Sequence, residues 1–311
     1  MSVQKLIWQL SFIFLSANIV LLTNGQQMSQ YSLIMHNRLN VNPAFCGVDK
    51  LPAFETSYRN QWLGVKGSPT AYMINGQVPV PRFDNSIGFA ATRQHFGLVN
   101  QTSVTVCYAH HFKVHHGKIS MGIKGGWYNQ MVNWNQSITI QPNDPSLGVG
   151  IISSSSPDFG AGGLFIASNY YVGLSIPSFY RHTLEGNNVK QNMETNPLNW
   201  QYYFNTGFTK SLNQRFSLNC DVVITTARGI PLYTGMLTSI KWYDHFSAGM
   251  GLHNLNMVII HAGFFVLPLV KLNYSYDLNL SKLSNVTSNT HEISLVYFPA
   301  NKLLKIESPI Y

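Results

Sequence analysis

Past the first 25 residues, apolar and polar side chains alternate along much of the chain. The clearest stretch is 270–280, where Val270, Leu272, Tyr274, Tyr276, Leu278 and Leu280 take one parity and Lys271, Asn273, Ser275, Asp277 and Asn279 the other. Successive side chains of a strand point to opposite faces, so this stretch has one apolar and one polar face. Its length matches the ~9–11 residues with which a tilted strand spans a bilayer. Ile119, Met121, Ile123 and Trp127 alternate in the same way with Ser120 and Lys124, and Tyr202, Phe204 and Phe208 with Asn205 and Thr209. Helical spacing fits none of these stretches better.

Reading a strand wherever such alternation falls between clusters of Gly, Pro, Asn and Asp predicts fourteen of them. The first six are 51–59, 70–78, 84–94, 101–113, 117–129 and 158–168, and the next four 169–179, 199–210, 214–226 and 231–242. The last four are 245–254, 257–265, 268–280 and 290–298. Even-numbered connections are short (79–82, 114–116, 168–169, 211–213, 243–244 and 266–267), and the long ones (60–69, 130–157, 180–198 and 281–289) are all odd-numbered. Outer-membrane barrels have an even number of strands, short periplasmic turns and long extracellular loops. The expected fold is therefore all-β, a transmembrane antiparallel outer-membrane β-barrel of about 14 strands, with the long loops outside and both chain termini of the barrel facing the periplasm.

Composition narrows the class further. Only 10% of the 311 residues are charged, against roughly 25% in an ordinary soluble domain. With 45% hydrophobic and 13% aromatic residues the chain is too apolar for disorder. After position 25 no run reaches the ~20 apolar residues of a membrane helix. The net charge is +8, yet Lys and Arg are scattered singly, so no nucleic-acid-binding face is expected. Cys46, Cys107 and Cys220 are odd in number and widely spaced, which reads as buried small side chains rather than a disulfide framework.

Residues 1–25 carry Lys5, an apolar stretch over 6–22 and a small-residue close at Thr23-Asn24-Gly25, the pattern of a secretory signal peptide. Gln9, Ser11, Ser16 and Asn18 argue against a membrane anchor, and no cysteine marks a lipoprotein cleavage point. The expected division is a signal peptide over 1–25, a periplasmic N-terminal segment over 26–50, the barrel over 51–298 and a short tail over 299–311, in the cell outer membrane with its lipids as solvent.

Candidate chemistry is sparse. His110, His111, His115 and His116 flank a short turn with no carboxylate or thiolate beside them to complete a metal shell, so neither metal nor cofactor is expected. No nucleophile elbow or ordered Ser, His and Asp set accompanies His182, His253, His261 or His291, so no catalytic residue is assigned and the chain reads as a non-enzyme. Gly160-Ala161-Gly162-Gly163 lacks the Lys and Ser or Thr of a phosphate loop and reads as close packing or a bulge. Lys271, Asp277 and Glu292 lie on polar parities of the last two strands and are expected in the lumen. On the lipid face a Lys or Arg costs about 2–4 kcal/mol at midplane. Tyr58 and Trp62 suit an interfacial aromatic girdle, while Arg59, Asn60 and Gln61 offer donors to pin the loop or bind a partner. Asn42, Pro43 and Ala44 read as a turn that seals the barrel floor or meets a periplasmic partner.

Several segments carry a resemblance. Asn42-Pro43-Ala44-Phe45-Cys46-Gly47, Tyr58-Arg59-Asn60-Gln61-Trp62, Gly67-Ser68-Pro69 and Asp158-Phe159-Gly160-Ala161-Gly162 are the first four. With 170–177 (YYVGLSIP), Tyr274-Ser275-Tyr276-Asp277-Leu278 and His291-Glu292-Ile293-Ser294-Leu295, their order and spacing resemble the PorP/SprF family of Bacteroidetes outer-membrane proteins over about 31–298. Cys46 stands where a small or polar residue is more usual, and matches weaken between 216 and 264. The resemblance implies a component of the type IX secretion and gliding machinery that supports export or surface attachment of secreted proteins. The partners it implies are other secretion components, including periplasmic ring or peptidoglycan-linked proteins, and a secreted adhesin or enzyme as cargo. Alternation alone leaves a general diffusion porin or small-solute channel open as the other reading.

Overall fold

The computed structural model describes residues 38–136, 150–185, 188–193, 197, 200–228, 230–243, 245–280 and 289–299. The leader expected over 1–25 lies outside the described residues, as do 26–37, 137–149 and the tail from 300 onward. No helix among the described residues is long and apolar enough to cross a membrane.

Fourteen antiparallel strands close into one barrel. In chain order they begin with β1 (Ala53–Asn60), β2 (Thr70–Val80), β3 (Asn85–Phe96), β4 (Val99–Val114), β5 (Gly117–Asn133), β6 (Ile151–Ile166) and β7 (Tyr170–Ile176). Two further strands, β8 (Tyr180–Glu185) and β9 (Asn188–Met193), pair only with each other in a separate hairpin. The barrel resumes with β10 (Tyr202–Ser211), β11 (Phe216–Ala227), β12 (Ile230–Trp242), β13 (Phe246–His253), β14 (Met257–Leu267), β15 (Val270–Asn279) and β16 (Thr290–Tyr297). Pairing of β1 with β16 closes the ring.

The strand count and the alternation of short and long connections follow the sequence reading. Two details differ. β5 runs on to Asn133 and β6 begins at Ile151, so Ser153–Ser156 are strand rather than loop, and the connection expected over 180–198 contains the β8–β9 hairpin. At about 3.3 Å per residue a strand of 17 residues is far longer than a bilayer needs even when tilted, so its outer part stands clear of lipid. There no lipid enforces apolar side chains, and pairing holds through polar contacts instead. The Asn129 amide, for example, donates to Ser155 Oγ at 2.7 Å and to Ser153 Oγ at 2.9 Å.

The pleat sorts side chains by face. Ile293, Leu295 and Tyr297 of β16 are exposed on the outside, whereas Thr290, Glu292, Ser294 and Val296 are buried inside. On β15 the polar parity faces inward, with Asn273, Ser275 and Asp277 buried and Tyr274 exposed. A slip of one residue would exchange the two sets, so this pattern fixes the register.

Candidate functional site

The barrel interior is occupied by the segment that precedes β1. A short helix α1 (Arg38–Val41) leads through Asn42 into a single 3-10 turn over Pro43–Phe45, and Ala44, Phe45, Cys46 and Val48 are all buried. Asn42 caps the turn, its Oδ1 accepting the Ala44 N–H at 2.9 Å, and Pro43 supplies the preset φ of a first helical position. The same Asn42 side chain donates to the Gly163 carbonyl at 3.3 Å, tying the turn to β6. Ser175 Oγ of β7 donates to the Val41 carbonyl and Ser120 Oγ of β5 to the Ala44 carbonyl, each at 2.6 Å. Gly47 N–H donates to Gln77 Oε1 at 2.9 Å, and Lys118 Nζ donates to the Val48 carbonyl at 2.7 Å. The backbone polar groups that lumen burial would strand are thus met by inward side chains of β2, β5 and β7.

Small inward residues make the socket. A Cβ on Gly122 would fall 2.4 Å from the Ala44 nitrogen, and one on Gly162 would fall 2.1 Å from Asn42 Oδ1. Gly122 of β5 and Gly162 of β6 therefore serve close packing against this plug, whereas Gly160 of β6 makes room for the Pro177 backbone. Its far side is anchored by Arg38, whose guanidinium lies 2.8 Å from Asp221 Oδ1 of β11 and 4.9 Å from the centre of the Tyr171 ring. Tyr171 Oη donates to the same Asp221 oxygen at 2.6 Å. Val41 packs with Ala71 of β2, Val223 of β11, and Tyr233 and Leu237 of β12 in one buried cluster. β2 and β11 are seven steps apart around the ring of fourteen, so this cluster joins opposite walls across the lumen.

A charged group sits where the ring closes. Arg59 Nη1 lies 2.9 Å from Asp277 Oδ2 and 3.0 Å from Glu292 Oε2, which places the three on β1, β15 and β16 across the closing seam. Arg59 and Glu292 are direct register partners. Lys271 shares the inward parity of β15 but is only partly buried. Arg59 is thereby bound inside the wall, which removes it from the loop-pinning and partner-contacting donors expected of its motif. The rest of that motif lies at the rim. Tyr58 points outward, its ring 4.8 Å from Tyr72, and the Gln61 N–H donates to the Pro69 carbonyl at 2.9 Å. Asn60, Gln61 and Trp62 are half-buried, and Trp62, with a left-handed φ of 56°, donates its backbone N–H to Thr290 Oγ1 at 3.3 Å.

His111 faces inward with Nε2 2.9 Å from Ser86 Oγ, His110 pairs with Asn85, and the rings of His115 and His116 meet edge to face with centroids 4.3 Å apart. The turn thus spreads its histidines over different faces. The plug is what reasoning from alternation missed. Its signal lay in the run of small inward residues, Gly88, Ala90, Cys107, Ala109, Gly122 and Gly162, where an open lumen would carry larger polar side chains. Contact with the Cys107 thiol and burial push the Cys46 thiol above the usual cysteine range.

A closed antiparallel barrel with an apolar outer belt and polar inner face is an outer-membrane barrel protein. The chain belongs to the PorP/SprF family: the profile described as type IX secretion system membrane protein PorP/SprF matches residues 23–297. Comparison with curated proteins found no match. Among solved structures, the chain is similar to the Acinetobacter baumannii outer membrane protein Omp33, with 7% identity over 80% of this chain and 98% of that one, at a TM-score of 0.48. A Pseudomonas aeruginosa FadL homologue is 10% identical over 89% of this chain and 96% of that one, at 0.47. The monoaromatic hydrocarbon channel CymD is 10% identical over 89% and 95%, at 0.49.

Proposed function

We propose that the protein is a non-enzymatic outer-membrane component of the type IX secretion and gliding machinery that supports export or surface attachment of secreted proteins. The observation that carries this reading, beyond family membership, is the filled interior: a plug bonded to several strands and an apolar cluster that joins opposite walls. A diffusion porin needs a continuous aqueous path, and buried inward side chains on strand after strand argue against one. With the lumen occupied, the surfaces left for partners are the two rims. The long-loop rim suits a secreted adhesin or enzyme outside, and the short-turn rim suits periplasmic ring or peptidoglycan-linked components. Asn60, Gln61 and Trp62 stand at the long-loop rim as candidate contacts. Deleting the gene and profiling culture medium and cell surface tests the proposal. Loss of particular secreted or surface proteins with unchanged solute uptake is expected, and the reverse result would overturn it.

A further inference from the structure

Cys46 belongs to the plug and Cys107 to the inward face of β4, and the two pack in one buried cluster with Leu39 and Ala109. In this structure both are free, buried thiols. Both sulfurs lie within 2.9 Å of the point where a Cβ on Gly88 would stand, so the missing side chain at Gly88 is what lets them meet. Lys124 of β5 is the register partner of Cys107, which sets an ammonium beside the sulfur that must carry negative charge during thiol exchange. Cys220 is elsewhere, on β11, where the Thr238 hydroxyl contacts it at 3.6 Å.

From this geometry we propose that Cys46 and Cys107 form a disulfide that tethers the plug to the barrel wall. An outer-membrane protein passes through the periplasm, an oxidising compartment. The oxidant is a disulfide-bearing oxidoreductase of that compartment, acting before the plug is seated, since both sulfurs are buried in the finished barrel. The Cys107 thiolate attacks the donor disulfide, forming a mixed disulfide and releasing one donor thiolate. The Cys46 thiolate then displaces the remaining donor sulfur. Two electrons pass to the donor, which leaves as a dithiol with the two protons that the cysteines gave up. The inference is independent of the secretion role, because it concerns only how the plug is held.

Protein isolated from outer membranes without reductant, then alkylated in denaturant, reads the proposal by mass. One alkylated thiol, Cys220, and a cross-linked peptide joining Cys46 to Cys107 are expected. Three alkylated thiols, or a cross-link through Cys220, would overturn it. Amide exchange over 38–48 reads the tether. Reduction or Cys107→Ser should speed exchange roughly tenfold or more while the heat-modifiable folded band persists, since local opening then needs no broken covalent bond. Exchange unchanged by reduction would reject the tethering role even if the cross-link exists.

Discussion

Replacing Arg59 with methionine probes the seam where the barrel closes. The Arg59 guanidinium serves two carboxylates, at 2.9 and 3.0 Å, with side-chain exposures of 3% for Arg59 and 0% for Asp277 and Glu292. At an effective dielectric near 20, each pair attracts by about 4 kcal/mol with ~4 Å between charge centres. Desolvation of several kcal/mol per ion offsets most of that, so the intact group contributes little net stability. Removing one partner is different, because it strands the charges left behind at a cost of about 3–5 kcal/mol. Arg59→Met leaves two acids facing each other on adjacent strands, and its loss should fall at the upper end of that range. The triple variant Arg59→Met, Asp277→Asn, Glu292→Gln leaves no charge and should recover most of the loss, a non-additivity expected of groups in one network. Urea titration of purified protein in lipid vesicles, followed by tryptophan fluorescence and heat-modifiable mobility, measures both. An unchanged midpoint for Arg59→Met, or a triple variant less stable than the single one, would refute the reasoning.

Other predictions use the same purified material or intact cells. Leu295→Lys should cost about 2–4 kcal/mol and deplete the folded band, and Tyr276→Lys less, because the Tyr276 hydroxyl accepts from Asn289 at the long-loop rim, whereas Asp277→Asn should still insert; the opposite ranking would reverse the assigned faces. Gly122→Leu should unseat the plug, because even a Cβ there would fall 2.4 Å from Ala44. Thermolysin should then cut within 38–48 while the barrel stays folded, and full protection would contradict the socket. For topology, Gln136→Cys and His116→Cys, each in a background free of native cysteines, lie at opposite ends of β5 in the long-loop and short-turn connections. An impermeant maleimide on intact cells should label the first and not the second; labelling of His116→Cys alone would invert the orientation.

The strands were legible because lipid on one side and protein on the other impose period-two alternation wherever a strand crosses the membrane. That is why β15, with Tyr274 outward and Asn273, Ser275 and Asp277 inward, could be drawn from sequence almost residue by residue. Legibility stopped where that constraint stops. Ser153–Ser156 pair with β5 above the bilayer, where serine serves as well as an apolar residue, and the β8–β9 hairpin takes no part in the barrel's strand pairing. The plug escaped for another reason. Residues 38–48 are short, irregular and held by scattered partners such as Ser120, Ser175 and Asp221, contacts that link positions far apart in sequence. Arg59 shows the same limit, since its motif places it beside the rim while the strand parity turns it inward toward Asp277 and Glu292.

Ion conductance in a planar lipid bilayer tests the filled barrel most directly. The purified full-length protein should carry no sustained current at moderate voltage, while the variant Gly122→Leu, Gly162→Leu, which crowds the plug from two adjacent strands, should open stepwise conductances. Steady porin-like steps from the unaltered protein, equal to those of the variant, would contradict a lumen occupied by its own N-terminal segment.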